Sequence, residues 1–419
     1  MKKSLIVLIA VIFISVLFTE SSYGIPAFSR KYGFNCNMCH TAYPKLNDFG
    51  QRFRDNGYQL PGQEGKEKTV MEIAPPIGIR TNAGASTFSD SKGTTSGFRL
   101  YGLDLFAAGV LHKNISALII YTPRIDEPAA DYTGTSNGTN PSQLAALESA
   151  NFVFSNIIKD AFNVRVGRFE PSYQLVSQRR SLYVIQPYDI YSFSAVKNNN
   201  GFGNNQLGVE AAGHFRNGFK YGVGFINGTG PDPENNLAKD IYANLSMTFG
   251  KGDGQSAGQR IGLFGYYGWQ PTSLADLTVS PTGEANGKEN KPFYRLGGSL
   301  SLNWETFNLQ TLLVMGNDDK AFNLADSTQD YKFTGGFAQL DWAGLLNNRI
   351  VVSALFNWIQ PPTYDKSRTF KAISGLVRYY LGSWSAVNVA LHAEYTYRIF
   401  GSDNPTKDNM LTLLVDFGF

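Results

Sequence analysis

Five consecutive residues, Cys36-Asn37-Met38-Cys39-His40, hold both cysteines of the 419-residue sequence and one of its four histidines. Two thiols separated by two residues sit on one turn, where they can add to the two vinyl groups of a haem, and the next residue then faces the iron. The spacing points to one covalent haem c, with Cys36 and Cys39 as its thioether donors and His40 as proximal iron ligand. A redox or structural disulfide between Cys36 and Cys39 is the other reading of the pair. A thioredoxin-like dithiol would also need a βαβ surround, and the flanking sequence carries none.

The motif follows a segment that reads as a secretory signal. Residues 1–24 carry Lys2 and Lys3, an apolar run from Leu5 to Phe18, and Ser22-Tyr23-Gly24 as a small-x-small cleavage site. Fourteen apolar residues are short for a membrane-spanning helix, so cleavage and a location outside the cytoplasm are expected. Beyond the motif, residues 44–57 fit a short amphipathic helix with Leu46, Phe49 and Phe53 on one stripe and Gly57 as its terminator. Such a stripe could simply pack or could cover a haem face. The haem-binding segment is thus read as 25–60, and 61–76, rich in glycine and proline, as a linker.

The residues of this segment carry a resemblance. Pro26-Ala27-Phe28-Ser29-Arg30, Gly33-Phe34-Asn35 leading into the motif, Pro44-Lys45-Leu46, Phe49-Gly50, Phe53 and Asn56-Gly57-Tyr58 are similar to the N-terminal module of the fused monohaem cytochrome-porins. That family includes the outer-membrane cytochromes of iron-oxidising bacteria. The resemblance is dense in motifs over 25–60 and only architectural beyond. It implies one covalent haem c on a porin-like barrel and electron transfer across the outer membrane.

Composition fits that expectation. Glycine is 43 residues, aromatics are 14% and charged residues only 17% of the chain, below the roughly 25% of soluble domains. A single apolar run excludes a multi-span helical membrane protein. A formal charge of +3 gives no basis for a nucleic-acid partner. From 77 to 419 the chain alternates apolar and polar residues between turn signals. This predicts a transmembrane antiparallel β-barrel of sixteen strands, at 77–88, 97–108, 113–122, 148–158, 161–170, 206–216, 218–227, 237–249, 260–269, 293–304, 306–315, 330–341, 348–359, 368–381, 385–398 and 409–419. The connections alternate long and short, as extracellular loops and periplasmic turns do. The last strand puts Leu411, Leu413, Val415, Phe417 and Phe419 on one face, resembling the signal read by the barrel-assembly machinery. Tyr294, Trp304, Trp269, Trp358, Tyr395 and Tyr397 near strand ends suit interfacial girdles.

With apolar positions facing lipid, Arg80, Asp104, Arg165, Glu210, His214, Lys220, Arg295, Arg378, His392, Glu394 and Asp416 are expected to face a mixed-charge, water-filled lumen. The longest outer loop, 171–205, carries Arg179, Arg180, Tyr183, Tyr188 and Tyr191. It either folds inward and narrows the pore or lies as a surface flap. For the sixth haem ligand, His214 is the first choice, ahead of His392, His112 and Met71. Asp126, Glu127, Asp131, Asp318 and Asp319 could offer hard oxygen ligands to Fe²⁺, or be solvated surface charge.

Three functions compete. The first is an electron conduit between an extracellular redox metal such as Fe(II) and a periplasmic c-type cytochrome, with ferrous-iron oxidation as its chemistry. The second is a transport porin whose haem is structural or sensory. The third is a porin without haem, its cysteines joined in a disulfide.

Overall fold

The computed structural model describes residues 28, 31–34, 36–72, 77–123, 146–185, 187–215, 217–250, 258–272, 290–384 and 387–418. The signal segment, the acidic residues 126, 127 and 131, and the terminal Phe419 lie outside these. Sixteen antiparallel strands close into a barrel. They are β1 Ile77–Asp90, β2 Gly93–His112, β3 Ile115–Thr122, β4 Ala146–Phe154, β5 Asn163–Phe169, β6 Gln206–His214, β7 Phe219–Ile226 and β8 Asp240–Phe249. The second half comprises β9 Gln259–Pro271, β10 Asn290–Trp304, β11 Phe307–Asp318, β12 Tyr331–Leu345, β13 Ile350–Gln360, β14 Phe370–Trp384, β15 Val387–Phe400 and β16 Thr406–Gly418. Each strand pairs with its sequence neighbours, and β16 closes the ring on β1, from Asn409 opposite Ser89 to Gly418 opposite Arg80. Every strand expected from alternation has its counterpart.

Most boundaries shift by a few residues, and two of the differences have identifiable reasons. β1 and β2 run on past the expected loop to a tight turn at Ser91 and Lys92, where Asp90 Oδ1 accepts from the backbone N–H of Lys92 (2.8 Å) and Gly93 (3.1 Å). Residues 93–98 are exposed throughout and alternate in nothing, so periodicity stopped short of them. Between β4 and β5, Asn156 adopts a left-handed conformation (φ 56°) and its N–H donates to Asn163 Oδ1, which breaks the strand at Phe154 and leaves Ile157–Asp160 as a separate short strand outside the ring.

Strand alternation sorts the side chains as predicted. Leu263, Leu296, Leu313, Ile373, Leu391 and Leu413 point outward and are exposed, an apolar belt that only a lipid phase accommodates around a closed ring. Trp304, Phe307 and Trp342 stack at one rim, with centroids 5.9 and 5.6 Å apart. The predicted inward charges do face inward.

The lumen is not the water-filled interior expected. Residues 170–205 fold into it, burying Tyr173, Leu182, Tyr188, Ile190, Tyr191 and Phe202 against inward Tyr242, Tyr266, Phe293 and Phe337. A sixteen-strand ring is too wide for its own side chains to fill, so a segment of the chain takes that space. The inward charges secure it. Glu394 accepts from the backbone N–H of Val184 (2.8 Å) and Ile185 (3.0 Å), Glu210 from Ser172 (2.8 Å), and Asp318 from Ala195 (2.6 Å), while Arg378 donates to the Leu182 carbonyl (3.2 Å).

The belt generates a contrast between two exposed apolar residues. Leu263→Arg is expected to lower stability by about 2–4 kcal/mol, because it places a guanidinium in hydrocarbon. Phe98→Arg, beyond the belt, should change it by under about 0.5 kcal/mol. Denaturant unfolding from lipid vesicles measures both, and equal losses would show that the belt is misplaced.

Candidate functional site

The motif forms one helical turn, α1 Cys36–Cys39, that runs directly into a small hairpin of His40–Ala42 against Lys45–Leu46, turned through a cis Tyr43-Pro44 bond. Asn47 ties the pieces together. Its N–H donates to the Cys39 carbonyl (2.9 Å), its Nδ2 to the Met38 carbonyl (3.0 Å), and its Oδ1 accepts from Gly50 N–H (2.9 Å), capping α2 Asp48–Asp55. The hairpin takes Lys45 and Leu46, so the helix starts later than the expected residue 44. A Cβ on Gly50 would lie 2.2 Å from the Cys39 carbonyl oxygen, which is why α2 needs glycine where it rests on the motif. Gly57 ends the helical segment with φ 65°, as expected.

This segment is held inside the ring, at the end where the strands are joined by short turns. Lys45 Nζ lies 2.5 Å from Asp341 Oδ2 at the end of β12 and also bonds Asn308 at the start of β11. Arg378 and Tyr380 of β14 donate to the Tyr43 carbonyl (2.8 and 2.7 Å), and Gln59 donates to Ser155 Oγ (2.8 Å). Arg260 of β9 bonds Gln51.

Between this segment, the inner faces of β1–β5 and the inward loop lies a cavity of about 210 Å³. One part of its wall is apolar. Phe34, Leu46 and Phe53 come from the N-terminal segment, and Phe106, Leu118 and Phe169 from strands. Of the predicted stripe, Leu46 and Phe53 reach the cavity, while Phe49 packs behind on Phe34 and Phe53. The rest of the wall is charged, with five arginines (Arg54, Arg80, Arg165, Arg179, Arg180) against the carboxylates of Asp104, Glu148 and Glu170. Cys39 and His40 line it together. The side chain of Cys36 lies outside the described ones.

His40 is 3% exposed, and neither ring nitrogen has a hydrogen-bond partner among the described residues. Burial pushes its imidazole down to about 4, against the opposing influence of the Pro44 and Lys45 backbones, neither of which completes a hydrogen bond to the ring. The ring is therefore neutral near pH 7, the form that binds a metal. A buried imidazole whose ring nitrogens have no partner among the described residues, directly after a Cys-x-x-Cys turn and facing a cavity apolar on one side and cationic on the other, fits the donor chemistry of a haem c.

The other ligand candidates lie elsewhere. His214, at the end of β6, is not among the residues lining the cavity; its Nε2 is 3.1 Å from Asp55 Oδ2 on α2. His392 is enclosed by Glu394 (3.0 Å), Asp416 (3.4 Å) and Arg378 (2.9 Å). His112 is exposed at the end of β2, and Met71 is exposed in the linker. Two of the acidic candidates are also already engaged. Asp318 is buried on Arg295 (2.7 Å), and Asp319 caps the short helix Lys320–Phe322. The apolar wall of the cavity was missed from sequence, although Leu118, Ile119 and Ile120 in succession signal a strand apolar on both faces.

Asp55 explains where His214 went. It meets Arg54 (2.8 Å), Arg165 (3.4 Å), His214 and Lys220, so α2 is clamped to β5, β6 and β7. Burial would raise its carboxyl pKa, but Arg54, Lys220 and His214 hold it well below the ordinary carboxylate range. Asp55→Asn leaves buried cations unanswered and should cost about 3–5 kcal/mol. A depressed carboxylate stabilises above its unfolded pKa of about 3.9. The difference from wild type should therefore persist at neutral pH and decline as pH falls from there through Asp55's lower folded value. A stability difference that grows on acidification would contradict the assignment.

No known family model matches the chain, and no curated protein matches it. Among solved structures, the barrel is similar to the anion-selective porin from Comamonas acidovorans, with a TM-score of 0.57 and 12% identity over 82% of this chain and 98% of that one. It is also similar to Pseudomonas putida OprB, with a TM-score of 0.51 and 14% identity over 84% and 95% of the two chains. The OmpF of Salmonella typhi, solved with daunomycin, matches at 0.50 and 8% identity over 82% and 97%. These likenesses establish the fold: the chain is a closed sixteen-strand barrel of the kind seen in outer-membrane porins.

Proposed function

We propose that this chain is an outer-membrane monohaem cytochrome-porin that moves electrons between an extracellular redox metal such as Fe(II) and a periplasmic c-type cytochrome. The observation that carries this reading is His40, buried beside Cys39 with no hydrogen-bond partner on either ring nitrogen among the described residues and facing a cavity of mixed apolar and cationic lining. The density of motifs between residues 25 and 60 supports it, as does the apolar belt.

Cys36 and Cys39 would anchor one haem c, and His40 would hold its iron; when bound, the haem supplies a one-electron couple. The chain's own residues do the rest. Phe53, Phe106 and Phe169 exclude water from the apolar wall, and the inward loop closes the cavity from the opposite side. The short-turn position suits exchange with a soluble periplasmic partner. Toward the other end, Tyr173, Phe202, Tyr266 and Phe293 stand 4.8, 5.2 and 5.6 Å apart between successive ring centroids, a closely packed medium for transfer. His214, held on Asp55, serves in this reading to position α2.

The porin-type barrel favours a second reading, a diffusion or transport porin with a structural or sensory haem. The inward loop narrows the lumen, as a constriction in such a porin also would, and so does not separate the two readings. Two measurements separate the readings. Purified outer membranes should show a c-type α-band in the reduced-minus-oxidised spectrum and a covalent haem stain, both lost in Cys36→Ala; with neither in wild type, a Cys36–Cys39 disulfide becomes the better reading. Liposomes carrying the protein, a trapped redox dye and external ferrous iron should then pass electrons, whereas passage of small solutes without electrons would establish the porin reading.

A further inference from the structure

Among the cavity's five arginines, Arg80 and Arg54 engage all three guanidinium nitrogens and Arg165 two of them. Arg80 gives Nε and Nη2 to Asp104 and Nη1 to the Arg179 carbonyl. Arg54 pairs through Nε and Nη2 with Asp55 and through Nη1 with Glu170. Arg165 divides Nη2 and Nη1 between Asp55 and Glu210. The two that come from the inward loop differ. Among the described residues, Arg180 makes both of its hydrogen bonds, to Glu170 and Ser177, from Nη1 alone, and Arg179 meets Glu148 only at Nε. A guanidinium carries five N–H donors in a planar fork, so each keeps the donors of at least one further nitrogen.

We infer that Arg179 and Arg180 form a carboxylate clamp for the two propionates of the haem, so that the loop acts as a strap across the prosthetic group. The inference rests on the haem reading above. The propionates are the only carboxylates that a haem brings, and an ionised carboxylate inside the barrel is costly unless paired. Two adjacent guanidiniums with spare donors answer two carboxylates. Both line the same cavity as His40. The apolar wall faces the macrocycle and the loop arginines face its polar edge. In this assignment the inward course of the loop serves retention and tuning, and Glu148 and Glu170 hold the arginines ready.

The test is a redox titration of the full-length haem protein in detergent, with covalent haem per chain measured in parallel. Arg179→Gln and Arg180→Gln each remove a positive charge that favours the reduced site, so each should lower the midpoint potential, the double variant further, with covalent haem unchanged because the thioethers do not depend on the loop. Arg179→Lys and Arg180→Lys should restore most of the potential. Arg168→Gln is the control, since Arg168 donates to the Gly230 carbonyl (2.6 Å) and does not line the cavity. Potentials unmoved in the folded single variants, or an equal fall in the control, overturn the clamp while leaving the haem assignment intact. Should the double variant fail to fold, the single variants decide. A wild-type protein without covalent haem instead removes the reading on which the clamp rests.

Discussion

A ring of sixteen strands encloses more space than its own side chains can fill, and the rest of this molecule answers that constraint. The chain fills the ring with itself: the loop 170–205 from one end and the haem-motif segment from the other. Both carry exposed backbone polar groups into a confined interior, where each needs a partner. The inward carboxylates and arginines supply those partners. Glu394 and Glu210 take loop N–H groups, Asp318 does the same near the outer end, and Arg378 reaches both the loop and the Tyr43 carbonyl. Charges that would merely hydrate an open pore act here as fasteners.

The barrel was legible because lipid imposes a simple rule on it. Every second residue outward must be apolar, so alternation located all sixteen strands, and the long and short connections gave their sense. The β1–β2 hairpin tip escaped because its residues leave the lipid, where the rule no longer operates. The inward course of the loop was only one of two readings that the sequence left open. Tyr173, Leu182 and Ile190 follow no helical or strand period, and their burial depends on a ring assembled from residues hundreds of positions apart.

The site divides the same way. The motif of the proposed site is local, because thioether attachment and iron ligation would depend on the spacing that Cys36, Cys39 and His40 carry. Its environment is non-local. Asp55 meets His214 and Lys220 across more than 150 positions of sequence, and Arg179 and Arg180 reach the cavity only because the loop turns inward. A histidine that looks available in sequence becomes a fastener once its carboxylate is known. Gly50 is informative in the opposite direction: a residue with no side chain marks where α2 must touch the motif's backbone.

The seam between β16 and β1 bears on how the molecule is made. Residues 40–60 are held at the short-turn end of a ring that becomes continuous only when the last strand of the chain meets the first. The inward loop closes one way to Cys39 and the motif segment itself fills the other. The walls around Cys39 are therefore complete only once strands from the two ends of the chain have met, so the surroundings of the motif are a product of barrel closure.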